Sequence, residues 1–184
     1  MSYCEKSLQP EQALVPEEAI QARVAELAAQ ICREYDVEKR EDRLLLVGVL
    51  KGSFHFLSDL SRQLSCDVEI DFISVSSYAG EKKSSGIVQI RKDLDTNIEG
   101  RDVLIVEDIV DTGATLRHLR ELLGTRKPRS LRVVSLLSKL QARGIPSDIE
   151  YIGFEIPDEF VVGYGLDYGE RFRNLPYIAI LREG

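Results

Sequence analysis

Three carboxylates crowd one short stretch of this chain: Glu107, Asp108 and, three positions on, Asp111. A run of small and hydroxylic residues follows, Thr112-Gly113-Ala114-Thr115. Hydroxyls and free backbone N–H groups in such a run can converge on an anion, and Gly113 lets the backbone approach it closely. Acid beside a bound anion is repulsive, so the carboxylates need a reason to be there. Vicinal sugar hydroxyls, a divalent cation, or both would supply one.

The flanking residues say how this cluster is held. Residues 103–106 (VLIV) are continuously apolar and mostly β-branched, the signature of a strand buried on both faces. Leu116, Leu119, Leu122 and Leu123 are spaced as one face of a helix. The unit reads as strand, acidic turn, anion cradle and helix start, with the positive end of the helix turned toward the anion. In open α/β sheets, ligands bind at that junction, outside the carboxyl ends of strands. Plainer readings exist. Acids can mark a strand emerging into water, Gly-Ala-Thr can be a simple helix start, and a phosphoacceptor pocket of the response-regulator kind also gathers carboxylates at strand ends. The uninterrupted order of the four parts favours the ligand-binding reading.

Other candidates are ambiguous taken singly. Lys51-Gly52 ends an apolar run and opens a helical one, so it is either a plain turn or a loop whose N–H groups hold an anion. Lys139 follows the apolar run 131–137, where a solvated strand end is the ordinary reading. Phe160-Val161 follows Pro157-Asp158-Glu159 and by itself reads as core. Asp167 and Arg173 read as surface charges, and His55 and His118 lie in no nucleophilic or metal constellation. There is no Walker A sequence, no GxGxxG and no Cys/His cluster of metal type.

The 184 residues suffice for one well-buried domain. With 24 basic and 31 acidic residues the net charge is −7, which argues against a nucleic-acid partner. An anionic substrate must therefore be held by local donors, a few Lys and Arg, and a metal. Cys4, Cys32 and Cys66 show no close pairing in sequence, so the expectation is reduced thiols in a cytoplasmic protein. The N-terminus lacks a secretory pattern and no apolar run reaches the ~20 residues of a membrane helix.

Along the chain, residues 1–16 are polar, with Pro10 and Pro16, and read as an N-terminal extension. Ile20, Val24, Leu27, Ala28 and Ile31 make a helical stripe. Strands are expected at 44–50, 68–76, 87–90, 103–106, 131–137, 151–154, 161–162 and 178–181, with helices after Gly52 and from about Ala114 to Leu123. The alternation favours a mainly parallel sheet. Residues 79–86 (AGEKKSSG) form a polar, glycine-bounded loop.

The unit Glu-Asp-x-x-Asp-Thr-Gly-x-Thr resembles the phosphoribosyl-diphosphate motif of the type I phosphoribosyltransferases, and within them the hypoxanthine-guanine branch. Residues 49–54, Ser77-Tyr78, residues 135–139 and residues 153–168 resemble that family's segments in the family's order, so the likeness runs from about Leu44 to the C-terminus. It implies a single α/β domain of type I phosphoribosyltransferase fold: a mainly parallel twisted sheet flanked by helices, a small purine-binding hood that includes residues 151–184, and a mobile lid loop at 76–87 with Ser77 and Tyr78 at its base. It implies phosphoribosyl diphosphate and a 6-oxopurine as substrates, Mg2+ as cofactor, no nucleic-acid or membrane partner, and a homodimer or homotetramer. Among residues it implies Asp111 as catalytic base; Glu107, Asp108, Thr112, Gly113, Ala114 and Thr115 at the ribose and 5′-phosphate; and Lys51, Gly52 and Arg173 at pyrophosphate. Lys139, Phe160, Val161 and Asp167 fall at the purine, and Glu107, Asp108 and Asp167 at the metal. It further implies a cis Leu50–Lys51 peptide. A regulator of the same fold that binds nucleotide or RNA is the alternative, and its mark would be a basic face.

Overall fold

The computed structural model describes residues 9–35, 43–77 and 88–182. Within them the elements run β1 (Gln9–Val15), α1 (Glu17–Tyr35), β2 (Leu44–Leu50), α2 (Phe54–Gln63), β3 (Val68–Ser77), β4 (Val88–Lys92), β5 (Asp102–Val110), α3 (Ala114–Gly124), β6 (Ser130–Ser138), β7 (Tyr151–Glu155), β8 (Val161–Val162) and β9 (Ile178–Arg182). Six strands form the main sheet in the order β4-β3-β2-β5-β6-β7. All its pairings are parallel except β3–β4 at the edge.

Alternation along the central strands explains the layers. Leu44 and Leu46 of β2 face a core built with α1 and α2, while Leu45, Val47 and Val49 face a second core built with α3. The predicted stripe Ile20, Val24, Leu27, Ala28 and Ile31 is the buried face of α1. A Cβ on Gly48 would meet the Leu57 side chain at 2.7 Å, so the missing side chain is what lets α2 close onto the sheet.

Strand order reverses direction at the centre. β2 leads through α2 to β3 on one side, and β5 leads through α3 to β6 on the other. The loops after β2 and β5 therefore meet at a topological switch point, where open α/β sheets bind ligands.

Two expectations on the elements change. Glu107 and Asp108 belong to β5 and not to a turn, because β6 carries the ladder past Val106, pairing Glu107 with Ser135 and Val110 with Ser138. Pairing to β2 stops at Gly48–Val106, so from Glu107 onward β5 keeps one neighbour and opens a cleft on the other side. Within the expected extension at 1–16, β1 pairs antiparallel with β9, which pairs with β8, and these three strands make a separate small sheet. Pro10 hid this strand, since proline reads as a breaker but is tolerated on an edge strand.

Cys32 and Cys66, which show no pairing in sequence, lie together where α1 passes the end of α2. Ser65 Oγ donates to Cys32 Sγ at 3.4 Å. Burial, with the Cys32 thiol beside it, pushes the Cys66 thiol up to about 11. Among the described residues no helix is long and apolar enough to cross a membrane.

Candidate active site

The cleft at the switch point has a volume of about 290 Å³, and Lys51, Gly52, Asp108, Thr115, Asp167 and Arg173 all line it. Its floor is the open end of β5. Glu107 is buried, 6% exposed, and burial with the neighbouring Asp108 charge pushes its carboxyl well above the usual carboxylate range. Asp108 is pushed up to about 6 by burial, although the Ile109 N–H donates to its Oδ1 at 2.9 Å. Two consecutive buried carboxyls that resist ionisation mark a site built for a compensating partner, because buried charge is stable only when paired.

The wall above Asp108 is the loop after β2. The Leu50–Lys51 peptide is cis, as the resemblance implies. Ser53 Oγ donates to the Val49 carbonyl at 2.7 Å and ties the start of α2 back to the strand. Any side chain at Gly52 would have to displace the Asp108 carboxylate: an added Cβ would stand 1.6 Å from its Oδ2.

The Thr112–Thr115 run opens α3. Gly113 takes φ 74 in the left-handed region and caps α3 with no side-chain cap bond. The Arg117 N–H donates to Gly113 O at 2.9 Å, so the N–H groups of the first turn precede the helical ladder and can face a ligand. Thr112 and Ala114 are exposed and Thr115 borders the cleft.

A second cluster lies past the ends of β5 and β6. Lys139 is 10% exposed at its side chain, and its backbone N–H donates to the Val110 carbonyl at 3.0 Å. Its ammonium stands 3.8 Å from Asp111 Oδ1 and 3.9 Å from Asp158 Oδ1. Both separations exceed hydrogen-bond range, so the Lys139 donors are committed to neither acid. Arg143 reaches the same two oxygens, at 2.9 Å and 2.7 Å.

Phe160 is 52% exposed and meets the edge of Tyr168 with ring centroids 5.8 Å apart. An aromatic face left that open is available to a flat ligand. The Val161 side chain, by contrast, is buried in the core, and its backbone pairs with Ile180. Asp167, expected at both purine and metal, lies on the cleft side. Arg173 bridges its Oδ1 at 2.8 Å, and the Glu170 N–H donates to its Oδ2 at 2.8 Å.

Three residues here escape sequence reasoning. Arg143 sits four positions after Lys139, a helical-turn spacing that could have marked it. Asp158 reads as a turn acid beside Pro157. Glu170, with φ 64, accepts from Lys51 Nζ at 3.1 Å and faces Arg173 at 3.4 Å, and nothing in its sequence context points to either. Of the expected lid, only the strand backbone to Ser77 is described; Tyr78 and residues 79–87 lie outside the described residues.

Among the described residues no cluster of three or more His, Cys, Asp or Glu is set to enclose a metal. The donor chemistry nonetheless fits magnesium, a hard cation usually bound by one or two carboxylates together with substrate phosphates and water.

The Phosphoribosyl transferase domain model matches residues 12–169. The chain is 49% identical over 172 residues to the hypoxanthine-guanine phosphoribosyltransferase of Bacillus subtilis (strain 168), covering 94% of this chain and 93% of that protein. It is 54% identical over 171 residues to the hypoxanthine-guanine phosphoribosyltransferase of Mycobacterium avium, covering 91% and 84%. A crystal structure of a hypoxanthine phosphoribosyltransferase from Staphylococcus aureus superposes with a TM-score of 0.86 at 49% identity, over 94% of this chain and 92% of that one.

Proposed function

The chain belongs to the phosphoribosyl transferase family, and from that membership we propose how its cleft works. It is a purine-salvage enzyme that transfers the 5-phosphoribosyl group of phosphoribosyl diphosphate to hypoxanthine or guanine, giving IMP or GMP and pyrophosphate. The observation that carries the base assignment is the nearly buried Lys139 ammonium, held beside Asp111 yet out of hydrogen-bond range of both neighbouring carboxylates. A cationic donor that is hydrogen-bonded to neither acid suits a 6-oxygen and leaves a 6-amino group, itself a donor, unpaired.

The remaining roles are those the resemblance implies. Thr112, Gly113, Ala114 and Thr115 take the 5′-phosphate at the start of α3. Glu107 and Asp108 take the ribose hydroxyls, which relieves their mutual repulsion. Lys51, Gly52 and Arg173 hold the pyrophosphate. Phe160 stacks on the base, and the Val161 backbone meets its edge. Asp111 accepts the base N7 proton as N9 attacks the anomeric carbon. That carbon passes through an oxocarbenium-like state, by analogy with glycosyl transfer. Glu107, Asp108 and Asp167 are the residues that would hold magnesium, which neutralises the leaving diphosphate when bound.

The regulator alternative gains no support. The net charge of −7 gives no sign of the basic footprint it requires. A cytoplasmic location and a homodimeric or homotetrameric assembly are carried as part of the same proposal, and light scattering of the purified protein tests the assembly.

The deciding experiment incubates the protein with phosphoribosyl diphosphate, Mg2+ and each purine in turn. IMP and GMP should form and AMP should not. Efficient adenine turnover, or no nucleotide from either 6-oxopurine, would overturn the assignment.

A further inference from the structure

Asp111, Lys139, Arg143 and Asp158 form a closed set of two acids and two bases at the base end of the cleft. Their distances are unequal in a telling way. Arg143 Nη2 donates to Asp158 Oδ1 at 2.7 Å and forms an ion pair with Asp111 Oδ1 at 2.9 Å. Lys139 Nζ lies 3.8 Å and 3.9 Å from those same atoms. Arg143 thus holds the two oxygens that Lys139 would otherwise bind.

The backbone makes this arrangement reproducible. Lys139 follows directly on β6, and the Arg143 N–H donates to the Lys139 carbonyl at 3.1 Å, closing one turn that returns Arg143 to the same two carboxylates. The turn is ended by Gly144 at φ 66. A guanidinium is planar and keeps its charge, and it presents several donors in a fixed fork. It can hold carboxylates from two segments at once, one from the end of β5 and one from the loop before β8. An ammonium in its place would be a point charge with freely rotating donors.

We propose that Arg143 is a positioning residue for base selection: by donating to Asp158 and pairing its charge with Asp111 it keeps the Lys139 ammonium available for the 6-oxygen and the Asp111 carboxylate aimed at the base. This rests on the assignment of Lys139 and Asp111 made above. Without Arg143, Lys139 collapses onto the nearer acids. Its donors are then spent within the protein, and the 6-oxygen must compete for them. Asp111 loses its fixed orientation at the same time.

The test is a set of variants of the full-length enzyme: Arg143→Met, Arg143→Lys, Asp158→Asn, the double variant Arg143→Met with Asp158→Asn, and Lys139→Met. KM for hypoxanthine, KM for phosphoribosyl diphosphate and kcat are measured for each. Arg143→Met should raise the hypoxanthine KM by about tenfold or more, the scale of one hydrogen bond to a charged group, and leave the phosphoribosyl diphosphate KM within about twofold. Arg143→Lys should recover part of that loss. The double variant should bind hypoxanthine better than Arg143→Met alone, because removing the Asp158 charge removes one competitor for Lys139. A merely structural role for Arg143 predicts the opposite, an added defect. An unchanged hypoxanthine KM in Arg143→Met, or a double variant worse than the single one, overturns the proposal. An unchanged hypoxanthine KM in Lys139→Met would sink the base assignment itself, and the role of Arg143 with it; a large effect there beside a silent Arg143→Met would sink the Arg143 role alone.

Discussion

Gly52 and Asp108 interlock so closely that a single added carbon on the first would stand 1.6 Å from Oδ2 of the second. The Gly52 carbonyl is in turn covered by Gly165, whose own Cβ would lie 2.0 Å from it at φ 102. Three segments far apart in sequence are nested here: the loop after β2, the open end of β5 and the loop after β8. The two glycines should fail differently. In Gly52→Ala the clash falls on a side-chain carboxylate, which can rotate away. The fold should survive while kcat/KM for phosphoribosyl diphosphate falls by about tenfold or more, because Asp108 is displaced. In Gly165→Ala the clash falls on backbone in a conformation L-residues rarely adopt, so stability should drop by roughly 2–4 kcal/mol. Thermal melts paired with kinetics separate the two; a Gly52→Ala enzyme with parent activity would show that the contact has no functional role.

Asp71 gives a pH prediction of known sign. It is 5% exposed in β3 and accepts N–H groups from Phe72 at 2.7 Å, Asp95 at 2.9 Å and Thr96 at 2.8 Å. Burial works to raise its carboxyl, but the donors led by the Thr96 N–H outweigh it and hold the group below its ordinary value. A depressed carboxylate stabilises the fold above its unfolded value and loses that contribution as pH falls through the folded one. Asp71→Asn should therefore cost roughly 1–3 kcal/mol in urea unfolding at neutral pH. The gap to the parent should narrow as pH falls below about 4, toward the lowered folded value. A gap that widens on acidification would contradict the linkage.

Much of this was legible in the sequence, for stated reasons. Among the described residues eight of the nine strands lie where the apolar pattern predicts them, the central parallel strands β2, β5 and β6 by their uninterrupted apolar runs and β3 by alternation, and α3 begins where Gly113 and the leucine spacing put it. β1 was missed because proline on an edge strand looks like a breaker. The acids were placed in a turn because sequence shows where apolar residues stop, not where a neighbouring strand goes on; it is β6 that carries Glu107 and Asp108 within the sheet. Arg143 and Glu170 were missed for a different reason. Each acts through partners brought close only by the fold, and a charged residue outside a motif carries no sign of what it will meet.

Asp111 is half exposed, with its side chain held by Arg143 at 2.9 Å. That leaves the carboxylate oriented and still open to a ligand. Asp111→Asn keeps the shape and removes the basicity. Because general base catalysis typically supplies roughly 10²–10⁴-fold, kcat should fall by that order, with much less change in the KM for phosphoribosyl diphosphate. Single-turnover nucleotide formation at saturating substrates checks this directly, and a near-parent rate in the Asn variant would remove Asp111 from the chemical step.

Phe160 offers the sharpest separation of binding from folding. Its ring is 52% exposed and touches Tyr168 edge-on at 5.8 Å, so it contributes little to the core. Its face is open to a flat partner, and stacking of a base on an aromatic side chain is worth about 1–3 kcal/mol. Phe160→Ala should therefore raise the KM for hypoxanthine and guanine together, by roughly 5- to 150-fold. The two bases should respond alike, because stacking reads the ring and not its substituents. Unfolding should barely move, since little buried area is lost. Phe160→Leu should fall between parent and Ala, and Phe160→Tyr, which keeps the ring, should approach the parent. If instead the melting temperature drops while the base KM holds steady, Phe160 is a packing residue and the stacking role must pass to another side chain.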